Sequence, residues 1–575
     1  MTGKSVARKQ VVESGVPTSV LGMFFDAQLS PADAMVGGMH VAIMDFVTAM
    51  LAHGESQPRF FSSPGNVAAT RGEVQRLLGL WRRPPDIARV EGYGALLNGL
   101  EAQGITHWHD ITGEVERPFA LRQAHARTLY PITVTPHVIS RRHLLHSWFL
   151  QLLLLDVQPC DSVVCISPTT RDALVALMGQ VEESFNLSHG TRLKYRGRFD
   201  VIPLGVDERL FQPRDRADMR HQLGLPQDAF ILLWAGRIAP DHKADLLPLL
   251  RVFRQLVLDN PQHRPLLVLA GSGSDLYLRT LREHTLQLGM GDRVVMMSEL
   301  HKARRHMYYA AADVFVSPID SVHETFGLTP LEAMACGIPA VVSDWDGYRS
   351  TVIERETGFR IPTSWMRCDS DVSMLGGLLE FPTDLVMHLA LAQSVAVDLE
   401  VLRDRLQLLM RNEALRLEMG RRARQHVVTS FSWKEVFARY EALWGELRAR
   451  AARLPRRARR RVPPHTHPRY FDAFKGFATE VLTDKSMVKL GASGRALLAG
   501  TEPPPPRYVG TEPLHRTTVE QILAALARGK GKSATTGSVL GALTKGGTAL
   551  SGDRARRQLM WLLKYGYLER SRRKG

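Results

Sequence analysis

Two carboxylates carry the strongest chemical signal in this sequence. Glu324 and Glu332 have seven residues between them, within a stretch that runs from Asp313 through ETFGLTPLEAMACGIP to Ala340. Pro330 suits the first turn of a helix, where its missing N–H would be unpaired anyway. The segment Glu324–Thr329 therefore leads into a helix N-terminus, whose unpaired N–H groups and positive dipole end attract an anion such as a diphosphate. Gly327 permits close approach of a ligand to the backbone. Glu324, just before this loop, can accept hydrogen bonds from sugar hydroxyls. Glu332, one turn into the helix, can take a diol such as that of ribose.

A second signal is cationic. Gly236-Arg237 follows the apolar run Phe230–Trp234, and Lys243 stands six residues beyond Arg237. Ligands of open α/β sheets bind at the C-terminal ends of the strands. A guanidinium and an ammonium at that end can neutralise a diphosphate leaving group.

These residues need a frame. Ser19–Phe25 reads as a buried strand, followed by a loop with Gly37-Gly38 and a helix over Met39–Ala52. Strand, glycine loop and helix open an α/β domain. Ile132–Thr135 and Ser162–Ile166 read as further strands, with a helix near Thr169–Met178, and the polar Gly179–Arg198 reads as an inserted loop. A second α/β unit is expected from strands Phe230–Trp234, Pro265–Ala270, Arg293–Met297, Val314–Ser317 and Ala340–Ser343. Helices are expected at about Asp245–Leu258, Leu276–Leu288 and Pro330–Cys336, and a last one over Trp433–Arg450. Strands alternating with helices indicate doubly wound parallel sheets.

Taken together, the motifs resemble those of the family-4 retaining glycosyltransferases, a GT-B family. The residues that carry the resemblance are Gly37-Gly38, Thr135-x-His137, SPTTRDAL (Ser167–Leu174), PLGVD (Pro203–Asp207), Gly236-Arg237 with Lys243, Ala270-Gly271-Ser272-Gly273, the Glu-x7-Glu element and the Phe431–Leu443 segment. They span roughly residues 18–450. The resemblance implies an α/β GT-B fold: two Rossmann-like doubly wound domains facing a cleft. It implies transfer of a sugar from a nucleotide-sugar, a UDP- or GDP-sugar, with retention of anomeric configuration and no cofactor. Arg237 and Lys243 would bind the diphosphate and Glu324 the sugar. The backbone of Phe326, Gly327 and Leu328 would hold sugar and phosphate, and Glu332 the ribose. Gly37 and Gly38 would close on the diphosphate from the N-terminal domain, and His137 would contact the sugar from that side. No metal is expected, because Arg and Lys supply the positive charge. Plainer readings stand beside these: a structural histidine at 137, a tight turn at Gly37-Gly38, and a turn-capping role for Asp207. The sequence departs from the family at Asp346-Gly347-Tyr348-Arg349, where relatives carry Gly-Gly-x-Pro-Glu, in a longer loop over Ile319–His323, and at Leu204, where Asn is common.

The domain boundaries that follow are a polar tail over 1–17, an N-terminal Rossmann-like domain over 18–207, and a C-terminal one over 208–432. The helix over 433–450 would cross back to the first domain. A basic linker over 451–464 would lead to a small, mostly helical domain over 465–575. The chain has 575 residues and a net charge of +16. That charge is concentrated: Ala451–Gly575 holds 25 Lys/Arg against 8 Asp/Glu, a net of +17, and the first 450 residues sum to −1. Any polyanion contact thus belongs to the tail. The four cysteines, Cys160, Cys165, Cys336 and Cys368, lack paired zinc spacing and read as free thiols. With no apolar run of membrane-spanning length and no leader-like start, a cytoplasmic protein, peripheral to a membrane at most, is expected.

LLKYGYL (Leu562–Leu568) resembles the end of the third helix and the first wing strand of winged-helix domains. That would put Arg554, Arg556, Arg557 and Lys564 on a helix suited to phosphate contacts. A peptide or protein acceptor and a docking role fit the same charge. The acceptor, whether peptide, lipid or saccharide, is not specified by the sequence. The competing reading is a catalytically inactive nucleotide-sugar-binding or nucleic-acid-binding protein that acts through the basic tail.

Overall fold

In the computed structural model the apolar run Val20–Phe24 forms β1, an interior strand of a seven-stranded sheet. The structure describes residues 19–27, 38–98, 100–297, 304–370, 372, 385–455, 469–501, 520, 522–524, 526, 533–545 and 552–571. Gly37, the 1–17 tail and most of the basic 451–464 segment lie outside these. The other strands of the first sheet are β2 Gln57–Ser62, β3 Arg89–Gly92, β4 His107–Asp110, β5 Ile132–Val134, β6 Ser162–Cys165 and β7 Arg198–Val201. They run parallel in the order β3-β2-β1-β4-β5-β6-β7. The interior strands β4, β5 and β6 are buried throughout, as in a sheet covered on both faces, while the edge strands β3 and β7 are only partly buried.

The second sheet comprises β8 Phe230–Ala235, β9 Pro265–Ala270, β10 Val294–Met297, β11 Val314–Ser317, β12 Ala340–Ser343 and β13 Gly358–Ile361. Its order, β10-β9-β8-β11-β12-β13, is the doubly wound pattern in which the chain reverses direction beside its first strand. β8, β9, β11 and β12 are buried throughout. Both sheets are therefore Rossmann-like, and the α/β two-domain GT-B class expected from the sequence is the architecture observed.

The first domain is completed from far along the chain. The helix Trp433–Arg453 buries Trp433, Val436, Phe437, Tyr440, Leu443, Trp444, Leu447 and Ala451. Most of these share one core with Leu21, Phe46, Phe60 and Val164 of the first domain. Trp444 Nε1 donates to Thr133 Oγ1 at 3.0 Å, and Tyr440 stacks edge-on to Phe46. On the other face, Arg122 and Asp161 form a buried ion pair at 2.6 Å, and Asp161 also accepts from the Ile132 and Gln158 amides.

The expected loop over Gly179–Arg198 is corrected. The helix from Pro168 runs on to His189 and ends at Gly190 (φ 62°). Its second half is polar because it faces solvent, and Gln, Glu and Leu sustain a helix there. Beyond Pro464 the chain forms a second compact unit. This unit contains the helices Ala492–Leu498, Thr536–Lys545 and Gly552–Lys564. It also contains an antiparallel sheet ordered Ser533–Thr535, Met487–Leu490, Leu568–Arg570. Leu568–Arg570 pairs antiparallel with Met487–Leu490, a strand about eighty residues upstream. Arg556 is paired with Asp553 and Asp484. Among the described residues no helix is long and apolar enough to cross a membrane. Cys160, Cys165, Cys336 and Cys368 are free thiols.

Candidate functional site

The second sheet reverses direction between β8 and β11, and the crevice at their C-terminal ends is where such sheets hold ligands. Gly236 and Arg237 follow β8 directly. Gly271, at the matching end of β9, has φ 155°, and a Cβ there would lie 1.7 Å from the Gly236 carbonyl oxygen. Only glycine allows the two strand ends to pack this closely. Arg237 is exposed and makes no ion pair among the described residues. Lys243 sits in the turn after β8 and pairs with the Glu324 carboxylate from the loop after β11. The fold thus brings together a cation and a carboxylate eighty-one residues apart.

Past Glu324 the chain enters the helix Leu328–Ala335, capped by Gly327 at φ 91°. A side chain at 327 would strike the Tyr348 ring, 2.0 Å from an ideal Cβ. Tyr348 is itself fixed by a hydroxyl contact with Ser317 at 2.9 Å. Glu332 faces inward from this helix and is 3% exposed. Arg305 contacts one carboxylate oxygen at 2.5 Å and the Tyr309 hydroxyl donates to the other at 2.6 Å. Burial raises the Glu332 pKa, opposed by Arg305 and Tyr309. Arg305 and Tyr309 escaped the sequence reading, since neither belongs to a spaced motif. The only signal is that a buried carboxylate requires partners.

The first domain supplies the opposite wall. His137 follows β5 and is 7% exposed. Its carbonyl accepts from Thr325 Oγ1 at 3.0 Å, directly beside Glu324. Burial lowers its pKa to about 4, so the ring is neutral near pH 7, and its Nε2 is buried without a hydrogen-bond partner. Ser167 caps the helix Pro168–His189 by accepting from the Thr170 amide. The Thr170 hydroxyl donates to the Thr325 carbonyl at 3.1 Å, and Thr169 donates to the Asp346 carbonyl at 3.1 Å. Gly38 opens the helix Gly38–His53. Asp207 accepts from the Arg209 and Leu210 amides, the turn-capping role read for it.

Asp346, at the departure from the family pattern, has φ 40°. Burial, reinforced by the nearby Glu324 charge, raises its pKa to about 8, and its Oδ1 is buried without a hydrogen-bond partner. The crevice thus offers one exposed guanidinium, a paired ammonium and carboxylate, a helix N-terminus and a neutral imidazole. That combination can bind an anion joined to a polyhydroxylated group.

Comparison with known proteins agrees with this chemistry over part of the chain. Residues 215–367 match the family model of the group 1 glycosyl transferases. The chain is 33% identical over 220 residues to D-inositol 3-phosphate glycosyltransferase of Streptosporangium roseum, an overlap of 37% of this chain and 46% of that protein. It is 36% identical over 183 residues to the enzyme of the same name from Mycobacteroides abscessus, covering 32% and 39% of the two. The chain spans less than half the length of these curated relatives. Among solved structures it is similar to sucrose-phosphate synthase from Thermosynechococcus elongatus (20% identity, TM-score 0.48, covering 75% of this chain and all of that one). It is also similar to Anabaena HepE in complex with UDP and glucose (15% identity, TM-score 0.49, covering 74% and 100%). What the chain shares with the group 1 glycosyl transferases is thus the segment that carries Arg237, Lys243, Glu324 and Glu332.

Proposed function

We propose that the protein is a glycosyltransferase that takes a nucleotide-sugar, a UDP- or GDP-sugar, in the crevice between β8 and β11 and transfers the sugar with retention. The observation that carries this reading is the contact between Lys243 and Glu324 at the mouth of the Leu328–Ala335 helix. A nucleotide diphosphate is met by Lys243, Arg237 and the helix N-terminus, and the sugar hydroxyls by Glu324. The backbone of Phe326, Gly327 and Leu328 contacts sugar and phosphate, and Glu332, steadied by Arg305 and Tyr309, receives the ribose. Gly37 and Gly38 cover the diphosphate from the first domain.

His137, neutral and buried, offers Nε2 to the sugar as a hydrogen-bonding group without adding charge. Retention follows from attack on the face that the diphosphate leaves, with the departing phosphate accepting the acceptor's proton. No protein base is assigned. Arg237 and Lys243 stabilise the charge that develops on the leaving group, the interaction that most lowers such barriers. The curated relatives' names make D-inositol 3-phosphate the first acceptor to test.

The test is nucleotide release from UDP-, GDP- and ADP-sugars, with and without D-inositol 3-phosphate. Release from one donor should fall about 100-fold or more in both Lys243→Ala and Glu324→Ala, the scale of removing one charge-stabilising group. Release unchanged in both variants would remove these residues from the reaction. Absence of both release and nucleotide binding would sink the enzyme reading and turn attention to the basic tail.

A further inference from the structure

Beside the candidate donor crevice lies a second constellation that the proposed transfer does not use. His242, His323 and His388 come from three separate segments: the turn after β8, the loop after β11 and the helix Leu385–Gln393. One ring nitrogen of each lies within 4.8 Å of the others. Ring centroids are 4.5 Å apart for His242 and His323, 5.3 Å for His323 and His388, and 5.8 Å for His242 and His388.

The surroundings orient the rings. His242 Nδ1 pairs with the Asp241 carboxylate. His323 Nδ1 lies 3.0 Å from the Ser140 hydroxyl, and His388 Nε2 lies 3.2 Å from the Ser140 carbonyl. The carboxylate and the carbonyl can only accept, so His242 Nδ1 and His388 Nε2 carry the proton in those two contacts, while the Ser140 hydroxyl can donate to or accept from His323 Nδ1. Metal-ligating histidines are supported in the same way. The two loops are also joined, since Ser321 Oγ donates to the Asp241 carbonyl at 2.8 Å and accepts from the His323 amide at 3.2 Å.

We infer that His242, His323 and His388 form a binding site for a divalent cation of the zinc class, supported by Asp241 and Ser140. Three imidazoles suit borderline cations such as Zn2+, Co2+ and Cu2+, and disfavour Mg2+ and Ca2+, which take oxygen ligands. Three protein ligands also leave a fourth tetrahedral position for water or a ligand. His242 precedes Lys243 and His323 precedes Glu324 in the chain, so a bound ion ties together the two loops that present that pair. Binding of the ion does not depend on the transferase reading.

The test titrates untagged full-length protein, dialysed against chelator, with Co2+ and then Zn2+. One equivalent of Co2+ per chain should give the visible ligand-field absorption of a tetrahedral site, Zn2+ should abolish it, and Zn2+ should raise the melting temperature. His388→Gln and His323→Gln should each lose that absorption while keeping the native circular dichroism. Asp241→Asn should keep the stoichiometry and weaken affinity about 10–100-fold, the effect of losing a supporting carboxylate. Mg2+ should produce no thermal shift. The inference is overturned if the native chain binds neither Co2+ nor Zn2+ at micromolar concentration. It is equally overturned if binding persists in both histidine variants. Should a histidine variant fail to fold, the native-chain stoichiometry and the Asp241→Asn affinity decide the question.

Discussion

Asp346 is the residue whose protonation the crevice controls most directly. Its carboxyl is raised to about 8 by burial and by Glu324, well above the ordinary carboxylate range. A raised carboxyl is protonated in the folded protein where the unfolded chain has already ionised. Its contribution to stability is therefore complete below about pH 4 and declines as pH rises, until it is fully lost above about pH 8. Asp346→Asn should melt progressively higher than the native protein between pH 5 and pH 8, with the gap constant above that range. A gap that does not change with pH would show that the carboxyl titrates normally. The same residue marks the limit of motif reading. Glu324, Glu332, Arg237 and Lys243 were legible because their spacing is tied to a strand end and a helix start. Arg305 and Tyr309, which hold Glu332 by an ion pair and a hydrogen bond, were not, since they stand on a separate helix, Arg305–Ala311, that no motif marks.

At the scale of elements, the start of the helix Pro168–His189 joins local stability to the site. Ser167 satisfies an otherwise unpaired helix N–H, and Thr170, one turn on, reaches the carbonyl beside Glu324. Ser167→Ala should cost about 1 kcal/mol, within the range of 0.5–2 for a lost cap, measured from the denaturant midpoint. A midpoint unchanged within error would show that the cap adds nothing net to stability. Patterning located most of the second domain because β8, β9, β11 and β12 are apolar apart from a closing serine in the last two. It missed β4, His107–Asp110, because that strand is buried yet polar. Its histidines are accommodated by aromatic rings, with His107 against Trp444 and His109 against Phe46, Tyr440 and Trp444. It missed β2 because Gln57-Pro58-Arg59 looks like a turn, although Pro58 sits near the start of the strand. The polar second half of the Pro168–His189 helix was misread as a loop for the complementary reason: an exposed helix has little apolar signal to offer.

For the molecule as a whole, the Trp433–Arg453 helix decides where a folded unit ends. Burying a large apolar side chain contributes about 1.5–3 kcal/mol. Val436, Phe437, Leu443, Trp444 and Leu447 together therefore approach the entire stability of a domain, about 5–15 kcal/mol. A chain ended at Pro464 should keep a cooperative melting transition, while one ended at Phe431 should lose it and aggregate. Equal transitions in the two would show that the helix is dispensable to the first domain. The fold class was readable at this scale because both sheets alternate strand and helix. The small unit's sheet was not, since Met487–Leu490 is short and its partners lie far away in sequence.

That returning helix also sets a timetable. On a ribosome, the first domain's strands are all synthesised once Val201 emerges, yet the core around Phe46 waits for Leu443, about 240 residues later. At roughly 5–20 residues per second the delay is on the order of 10–50 s. The second domain, encoded in one continuous stretch, can finish folding within that interval. The domain made first is therefore the one completed last, and any demand for a holding chaperone during synthesis falls on its uncovered apolar face.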